Sequence, residues 1–379
     1  MTLQIPLSLY IHIPWCVKKC PYCDFNSHAQ NGELPEKLYV DRLLEDLAQD
    51  LPRVGDRPIR TVFIGGGTPS LFSANSYQRL LDGVRARIAI APDAEITLEA
   101  NPGTIEHGQF SDYRAVGINR ISLGVQSFST DHLKRLGRIH SGQEVLHAVE
   151  ELKRGGFENF NLDLMHGLPS QTLTQAIEDL HQAIALKPTH LSWYQLTLEP
   201  NTVFYSKPPK LPDDDQLADI EEAGKKVLQQ ASYEQYETSA YAKDKFFCQH
   251  NLNYWRFGDY LGIGAGAHGK ITDFQTGVIH RIWKKKQPKA YLDSAHTMVG
   301  GVEKVVSNQV PFEFMLNVLR LKEGFTAEEY EQSTGQTFLE IETKVLQAVR
   351  QGFLIIEENK KIRPSELGAR FLNDVLLLF

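Results

Sequence analysis

The chain joins an apolar strand candidate to three closely spaced cysteines in the stretch Leu7-Ser-Leu-Tyr-Ile-His-Ile-Pro-Trp-Cys16-Val-Lys-Lys-Cys20-Pro-Tyr-Cys23. Leu7–Ile13 has the apolar composition of a buried strand and is followed by a proline. Because the cysteines come directly after this strand, we expect them at its carboxyl end. Functional residues at that position are typical of α/β folds built on parallel strands.

The same arrangement recurs along the first 200 residues. Five more strand candidates follow Leu7–Ile13, at residues 61–64, 95–99, 120–125, 159–164 and 190–198, with helical periodicity between them. Six strand–helix repeats predict a parallel sheet with right-handed crossovers. Nearly every strand candidate ends in a polar or glycine-rich cluster, whereas an open sheet would concentrate such residues at one switch point. We therefore predict an α/β fold with a partial (β/α)6 barrel.

The alternation of strand and helix patterns ends after residue 200. A proline-rich segment at 207–212 reads as a stiff linker, and Asp213-Asp214-Asp215 is predicted to cap a helix because carboxylates suit a helix N-terminus. Residues 233–300 are aromatic-rich, and we expect them to be irregular.

A small C-terminal module of helices is predicted to begin near Pro311. It ends in a hairpin of residues 353–356 and 361–363 that turns at Glu358-Asn359-Lys360, a winged-helix-like α+β arrangement. The predicted units are therefore residues 1–205, 206–305 and 306–379.

Composition excludes several classes of protein. Of the 379 residues, 42% are hydrophobic and 23% charged, which is typical of globular proteins and not of disordered or fibrous ones. A net charge of −7 argues against nucleic acid as a partner, so the C-terminal module is interpreted as a packing or protein-contact unit. The N-terminus lacks a basic region, and no apolar stretch approaches about 18 residues. We expect a cytoplasmic protein with reduced thiols.

The spacing Cys16-x-x-x-Cys20-x-x-Cys23 allows three thiolates to surround one compact centre. A structural zinc site needs a fourth ligand nearby. A [4Fe–4S] cluster held by three thiolates is the favoured interpretation, because it leaves one iron open to a non-protein ligand. Two alternatives remain open: three reduced cysteines in a loop, and a zinc site completed by His12 or His28.

The segment Tyr10-Ile-His-Ile-Pro-Trp-Cys16, with this cysteine spacing, resembles the radical S-adenosylmethionine (SAM) superfamily. More narrowly, nearly the whole chain resembles the coproporphyrinogen III oxidase-like branch. In that family SAM chelates the open iron, and one-electron reduction of the cluster cleaves SAM to a 5′-deoxyadenosyl radical. The resemblance implies that Cys16, Cys20 and Cys23 are the cluster ligands.

The resemblance also implies a set of SAM-binding residues. Tyr10 would lie beside SAM, and the backbone of a glycine motif would reach the SAM amino group, since glycines allow a ligand close to the main chain. Glu99 would contact the nucleoside or its ribose. The glycine motif and the remaining cavity-lining positions are Gly66, Gly67 and Thr68, with Gln126, Arg138 and Asp163.

Two glycine-rich strings do not predict nucleotide sites. Gly264-Ala-Gly-Ala-His-Gly269 satisfies a dinucleotide pattern, but no helical pattern follows it. The string Gly65-Gly-Gly-Thr68 lacks the Gly-Lys-[Ser/Thr] of a P-loop. Neither string indicates NAD or ATP.

Two features distinguish the chain from the oxidases of this branch. Phe25 occupies the position where those oxidases carry a further cysteine. The hexad His250-Asn-Leu-Asn-Tyr-Trp255 resembles the H-N-x-x-Y-W element of the HemW group of haem chaperones. This resemblance implies a protein that binds haem and delivers it to haem proteins, including membrane-bound respiratory enzymes, without oxidase activity. The alternative is an oxygen-independent coproporphyrinogen III oxidase.

Within this hexad His250 is the predicted axial haem ligand, because histidine is the commonest protein ligand of haem iron. Tyr254 and Trp255 would pack against the macrocycle. A core histidine is the alternative for His250, and Cys248 is interpreted as a buried thiol rather than a rival ligand. The basic run at residues 280–289 is favoured as a solvated loop over a contact with haem propionates or with an anionic partner surface. The resemblance also allows a homodimer.

Overall fold

A large mixed β-sheet forms the centre of the computed structural model, which describes residues 5–30, 32–105 and 109–379. The first four residues of the predicted N-terminal unit lie outside the described residues. The strands are β1 (Leu7–Ile13), β2 (Trp15–Cys16), β3 (His28–Ala29), β4 (Ile59–Gly66), β5 (Ile90–Ala100), β6 (Arg120–Gln126), β7 (Phe160–His166), β8 (His190–Gln195), β9 (Glu234–Gln235), β10 (Ala240–Ala242), β11 (Asp259–Ile263), β12 (His268–Thr272), β13 (Ile279–Lys284), β14 (Val299–Lys304), β15 (Leu354–Ile356) and β16 (Ile362–Pro364).

The strand order of the large sheet is β14-β13-β12-β11-β1-β4-β5-β6-β7-β8-β10-β9. The strands from β11 to β8 run parallel, and the pairs outside them are antiparallel. Each of the six predicted strands lies beside its neighbour in the chain, as in a barrel wound in one direction. The predicted partial α/β barrel is confirmed, and the ends of the strands differ from the predicted ones by a few residues.

Helices connect these strands, and their apolar residues recur three or four positions apart. In the first helix the buried residues Tyr39, Val40, Leu43 and Leu47 belong to the same hydrophobic core as β1. The helices are α1 (Glu36–Asp50), α2 (Ala74–Arg85), α3 (Gln109–Ala115), α4 (Thr130–Arg135), α5 (Gly142–Arg154), α6 (Leu173–Ala185), α7 (Val203–Ser206), α8 (Asp214–Gln230), α9 (Gln249–Trp255), α10 (Pro288–Leu292), α11 (Val310–Val318), α12 (Ala327–Thr334), α13 (Leu339–Arg350), α14 (Glu366–Arg370) and α15 (Leu372–Leu376).

The predicted aspartate cap is confirmed. The Asp213 carboxylate accepts the main-chain N–H of Gln216 at 2.9 Å, and Gln216 returns a contact to the Asp213 N–H. This reciprocal pair satisfies two of the otherwise unpaired N–H groups at the start of α8.

The expectation that residues 233–300 are irregular is wrong. This segment forms β9–β14, which extend the parallel sheet at both edges. Strand β11 lies parallel to β1, with Tyr10 opposite Gly262. Each of these strands has only two to six residues and pairs with partners that are distant in sequence, so the local hydrophobic pattern is weak.

The C-terminal module has the predicted combination of helices and a hairpin. Strands β15 and β16 pair antiparallel, and the turn is closed by a bond from the Glu357 N–H to the Lys361 carbonyl oxygen at 2.8 Å. One hydrophobic cluster contains residues of this module together with Leu252, Phe257 and Ile279. The three-unit division of the chain stays a prediction.

In the described ranges, no helix is both long enough and apolar enough to span a bilayer.

Candidate functional site

The three predicted cluster ligands lie in one loop and face one cavity. Cys16 ends β2, and a turn closed by the Cys23 N–H and the Cys20 carbonyl oxygen (3.2 Å) brings the other two thiols back towards it. All three cysteines are half-buried, and they line a cavity of about 350 Å³. Burial raises the pKa of the Cys16 and Cys23 thiols. Iron binding would replace the proton of each thiol, as it does at thiolate sites in general.

The zinc alternative needs a histidine that the structure does not offer. His12 Nδ1 contacts the Tyr10 hydroxyl at 2.9 Å, and His12 Nε2 donates to the Asn26 carbonyl oxygen at 2.9 Å. His28 Nε2 is engaged by the Asn26 side chain at 3.3 Å. Among the described residues, no three His, Cys, Asp or Glu side chains converge closely enough for a single metal ion. Three thiols that line one cavity are a donor set that suits an iron–sulfur cluster.

The glycines at the end of β4 are needed because the segment from His12 to Trp15 packs directly against their main chain. A Cβ atom at Gly66 would lie 2.6 Å from the His12 ring, and Gly66 has a φ of +117°. At Gly67 a Cβ atom would lie 2.4 Å from the Trp15 carbonyl oxygen. The sequence analysis predicted that these glycines let a ligand approach the main chain. In the structure, the group that lies against them is the segment that leads to the cysteines.

The N–H groups of this motif already have acceptors. Gly66 donates to Glu99 Oε2 at 3.0 Å, and Gly67 and Thr68 donate to carbonyl oxygens of the Leu7–Cys16 stretch at 2.7 Å each. An ammonium group such as the SAM amino group needs acceptors rather than donors. The N–H groups of the motif are therefore engaged within the protein.

Two carboxyl groups line the same cavity from the ends of β5 and β7. Burial, reinforced by the charge of Asp163, raises the pKa of Glu99 to about 8. Burial also raises the pKa of Asp163, although this carboxylate accepts hydrogen bonds from Ser122 at 2.9 Å and Asn161 at 2.8 Å. Acids kept partly neutral in a cavity are typical of ligand sites.

Replacement of Glu99 by glutamine tests this burial. A carboxyl group whose pKa rises on folding stabilises the fold below its ordinary value of 4.5, and this stabilisation is lost as the pH rises through about 8. Between pH 5 and 8 we expect the unfolding free energy of cluster-free wild type to fall more steeply than that of Glu99→Gln, by up to about 1.4 kcal/mol per pH unit. Urea titrations at several pH values measure this. The exposed Glu158→Gln is the control, and parallel profiles for wild type and Glu99→Gln would contradict the prediction.

Gln126 reaches the cavity because β6 is irregular at this point. The register between β6 and β7 shifts between Gly124 and Gln126, and Gln126 has a φ of +68°. A left-handed conformation costs a non-glycine residue about 1–3 kcal/mol. The Tyr194 hydroxyl holds the side chain by donating to Gln126 Oε1 at 2.8 Å. Irregular strand ends of this kind re-aim side chains next to binding sites.

Arg138 supplies a positive charge beside the cysteine loop. One guanidinium nitrogen donates to the Gly124 carbonyl oxygen at 2.7 Å, and another lies 3.8 Å from Cys20 Sγ. Its Nε is buried and has no hydrogen-bond partner among the described residues. A buried donor without an acceptor on a cationic group fits an anion such as the SAM carboxylate.

The structure therefore brings nearly all the predicted SAM-binding residues to one cavity. Tyr10 is the exception, since it lies on the wall of a second, adjoining cavity of about 830 Å³. The predicted SAM-binding residues that line the first cavity are Gly66, Gly67, Thr68, Glu99, Gln126, Arg138 and Asp163.

Helix α9 carries the predicted haem hexad and begins on a buried carboxylate. Glu95 accepts the N–H groups of Gln249 and His250 at 3.2 Å each and lies 3.7 Å from Cys248 Sγ. A carboxylate at this position suits the partial positive charge of a helix N-terminus. Cys248 is 1% exposed, and burial raises the pKa of its thiol to about 12. The interpretation of Cys248 as a buried thiol is confirmed.

The predicted role of His250 as an axial ligand does not fit this geometry. The ring is 1% exposed, and Nδ1 and Nε2 form hydrogen bonds with Thr61 Oγ1 at 2.7 Å and with the Tyr254 hydroxyl at 2.8 Å. Burial and the charge of Arg120 lower the pKa of His250 to about 3. Iron ligation would require the ring to break one of these bonds. In this structure His250 instead orients Tyr254.

Tyr254 and Trp255 reach the second cavity, which shares a wall with the first. Cys23, Phe25, Gly66, Glu99 and Trp255 line both. Sequence reasoning missed the far wall, which comes from the segment expected to be irregular. The only signal for it was the glycine string that was set aside as a nucleotide site. Strand β12, rather than a helix, begins within that string at His268, which faces the second cavity.

The basic run at residues 280–289 is not a solvated loop. It forms β13 and the beginning of α10, and Lys284 is buried between Asp46 at 2.5 Å and Asp50 at 2.6 Å. Arg281 pairs with Glu313 and donates to the Tyr260 hydroxyl at 3.1 Å. The interpretation of this run as a solvated loop is wrong for its first half, because Arg281 and Lys284 lie in a strand and pair with carboxylates far away in sequence.

Comparisons with known proteins agree with these features. Family models match the radical SAM superfamily over residues 10–183 and the HemN C-terminal domain over residues 307–371. The solved structure of coproporphyrinogen III oxidase (HemN) from Escherichia coli has a TM-score of 0.82 at 23% identity and covers 99% of this chain and 90% of that one. At this identity the likeness shows the fold.

Two curated relatives extend along nearly the full length. The heme chaperone HemW of Escherichia coli is 55% identical over 374 residues, which cover 99% of this chain and 98% of that protein. The heme chaperone HemW of Haemophilus influenzae is 54% identical over 378 residues, with coverage of 99% and 98%. Together with the cysteine loop and the two cavities, this identity shows that the chain belongs to the radical SAM superfamily and, within it, to the family of HemW heme chaperones.

Proposed function

We propose that the protein binds haem and transfers it to haem proteins, including membrane-bound respiratory enzymes. The observation that carries this proposal is the pair of adjoining cavities. One is lined by three thiols and by polar residues at strand ends, and the other is walled by the aromatic residues of α9. A haem carrier with resident cofactors needs two such spaces side by side.

The first cavity is proposed to hold the [4Fe–4S] cluster and SAM. Cys16, Cys20 and Cys23 would bind the cluster, and Arg138 would face the SAM carboxylate with its unpaired Nε. In this superfamily the cluster supplies one-electron reduction of SAM when both are bound. The half-buried position of the thiols would shield the cluster loop from bulk water.

The oxidase alternative is weakened by Phe25. This residue stands where the oxidases of the branch carry a further cysteine, and its side chain is 59% exposed on the wall shared by the two cavities. An aromatic ring cannot replace the acid–base or redox chemistry of a thiol. We therefore propose no coproporphyrinogen oxidase activity.

Haem transfer is the direct test. Anaerobically purified protein with a reconstituted cluster should develop a Soret band on haem titration. It should then restore the activity of a haem-depleted respiratory cytochrome b faster than free haem does. Incubation with coproporphyrinogen III, SAM and a reductant should yield no protoporphyrinogen IX. Failure to bind or transfer haem would overturn the chaperone proposal, and protoporphyrinogen formation would establish the oxidase instead.

A cytoplasmic location and a homodimer are further proposals. The cytoplasm keeps thiols reduced, which cluster binding at the three cysteines requires. Cell fractionation and sedimentation of the cluster-loaded protein would test the two proposals. We expect the protein in the cytoplasmic fraction and a sedimentation coefficient that corresponds to a dimer.

A further inference from the structure

The second cavity has the size and the walls of a site for a large aromatic ligand. Its volume of about 830 Å³ lies within the range of about 300–1,000 Å³ that is usual for small-molecule sites. Tyr254 and Tyr260 meet edge to face with their ring centroids 4.5 Å apart. The hydrogen bond to His250 fixes the Tyr254 hydroxyl, so this part of the wall is held before any ligand arrives.

Trp255 adds an unused donor to the wall that the two cavities share. The guanidinium group of Arg320 lies 4.9 Å from the centroid of its ring. Its indole N–H is buried and has no acceptor among the described residues. Buried donors normally have a partner, so an unpaired one on a cavity wall indicates a bound group.

One histidine of this cavity is free to bind iron. His12, which also lines the cavity, and His250, which is buried behind Tyr254, engage both ring nitrogens in hydrogen bonds within the protein. The ring of His268 is exposed to the cavity and has no hydrogen bond to any residue of the described ranges. Partial burial and the charges of Lys286 and Arg281 lower the pKa of His268, which favours the neutral imidazole that metals bind.

The cations of the cavity divide into paired and unpaired groups. Lys270 is buried on Asp259, and Arg281 pairs with Glu313. Lys286 is exposed at the rim and forms no ion pair with the part of the chain that the structure describes. The ammonium group of Lys19 donates to the Phe25 carbonyl oxygen at 3.0 Å and meets no described carboxylate within ion-pair distance. Two ammonium groups without an ion pair among the described residues fit a ligand with two carboxylates.

We infer that the second cavity is the haem site, with His268 as the axial ligand and Lys286 and Lys19 facing the two propionates. This inference rests on the proposed function and adds the location of the cargo. Trp255 and Tyr254 contact the macrocycle, and His250 positions Tyr254 from behind. Haem then lies next to the cluster cavity, separated from it by the shared wall of Phe25 and Trp255.

The axial ligand is tested by His268→Ala in the cluster-loaded protein. We expect haem affinity to fall at least tenfold and the Soret maximum to shift. Added imidazole should restore the wild-type spectrum, because it occupies the space that the ring has left. His147→Ala changes an exposed histidine on α5 and should bind haem as the wild type does. Equal iron and sulfide contents and equal far-ultraviolet circular dichroism show that the variants are folded.

The propionate contacts are tested by Lys286→Glu, which should weaken haem binding severalfold without moving the Soret maximum. The exposed Lys289→Glu introduces the same charge on α10 and is the control. The proposed haem site would be overturned if His268→Ala bound haem with wild-type affinity and spectrum. It would also be overturned if His250→Ala alone lost the axial-ligand spectrum. Neither result would contradict the chaperone proposal. A wild type that binds no haem would overturn the proposed function itself.

Discussion

Replacement of Cys16, Cys20 and Cys23 together by alanine is expected to reduce protein-bound iron and acid-labile sulfide to background. The three thiols lie in one short loop, and each lines the cofactor cavity. Iron–sulfur clusters depend on thiolate ligands, and the polar residues around this cavity offer no substitute set. Iron and sulfide assays after anaerobic reconstitution measure the effect, together with the absorption of the cluster in the near ultraviolet and visible.

Cys248→Ala is the matched control for these thiols. Its side chain is buried beneath α9 and contacts Glu95, so its removal should leave iron and sulfide at wild-type levels. If the triple variant kept its iron and sulfide, or if Cys248→Ala alone lost them, the cluster would not lie in the loop at residues 16–23. Single replacements rank the three ligands, and we expect each of them to destabilise the cluster.

Lys284→Met is expected to lower the free energy of unfolding by about 3–5 kcal/mol. Lys284 is 1% exposed in β13 and joins Asp46 and Asp50 of α1. Asp46 also accepts a hydrogen bond from the Tyr291 hydroxyl at 2.7 Å. Removal of Lys284 would leave Asp46 without a counter-charge and Asp50 with only the more exposed Arg53 at 3.7 Å, and the lost contact joins β13 to the first helix. Urea unfolding at constant pH measures the change.

Neutralising the two aspartates as well tests whether the loss of stability comes from their unpaired charges. Combining Lys284→Met with Asp46→Asn and Asp50→Asn should recover part of the lost stability, since no buried charge then remains. Lys285→Met is the control, because Lys285 is only half-buried and donates to the neutral Ser294 hydroxyl at 2.9 Å. A Lys284→Met variant as stable as Lys285→Met would show that the buried ion pair contributes little.

Much of the barrel could be predicted from the sequence. The strands from β1 to β8 that form it are six to eleven residues long, apart from the two short strands beside the cysteines that were not predicted. Strands of this length alternate with helices of clear periodicity, so the hydrophobic pattern alone indicates a parallel sheet. The clusters at their carboxyl ends also indicated the shared cavity, because parallel strands bring those ends to one side.

The sequence by itself determined the parallel α/β core, the cysteine loop, the aspartate cap of α8 and the aromatic residue in place of the oxidase thiol. These features depend on local patterns or on the identity of single residues. Only the tertiary structure decided the strands between residues 233 and 300, the engagement of both His250 nitrogens and the existence of the second cavity. That cavity joins Tyr10, Trp255, His268 and Lys286, which are far apart in the chain. Such a space is defined by packing between distant segments, and no local pattern encodes it.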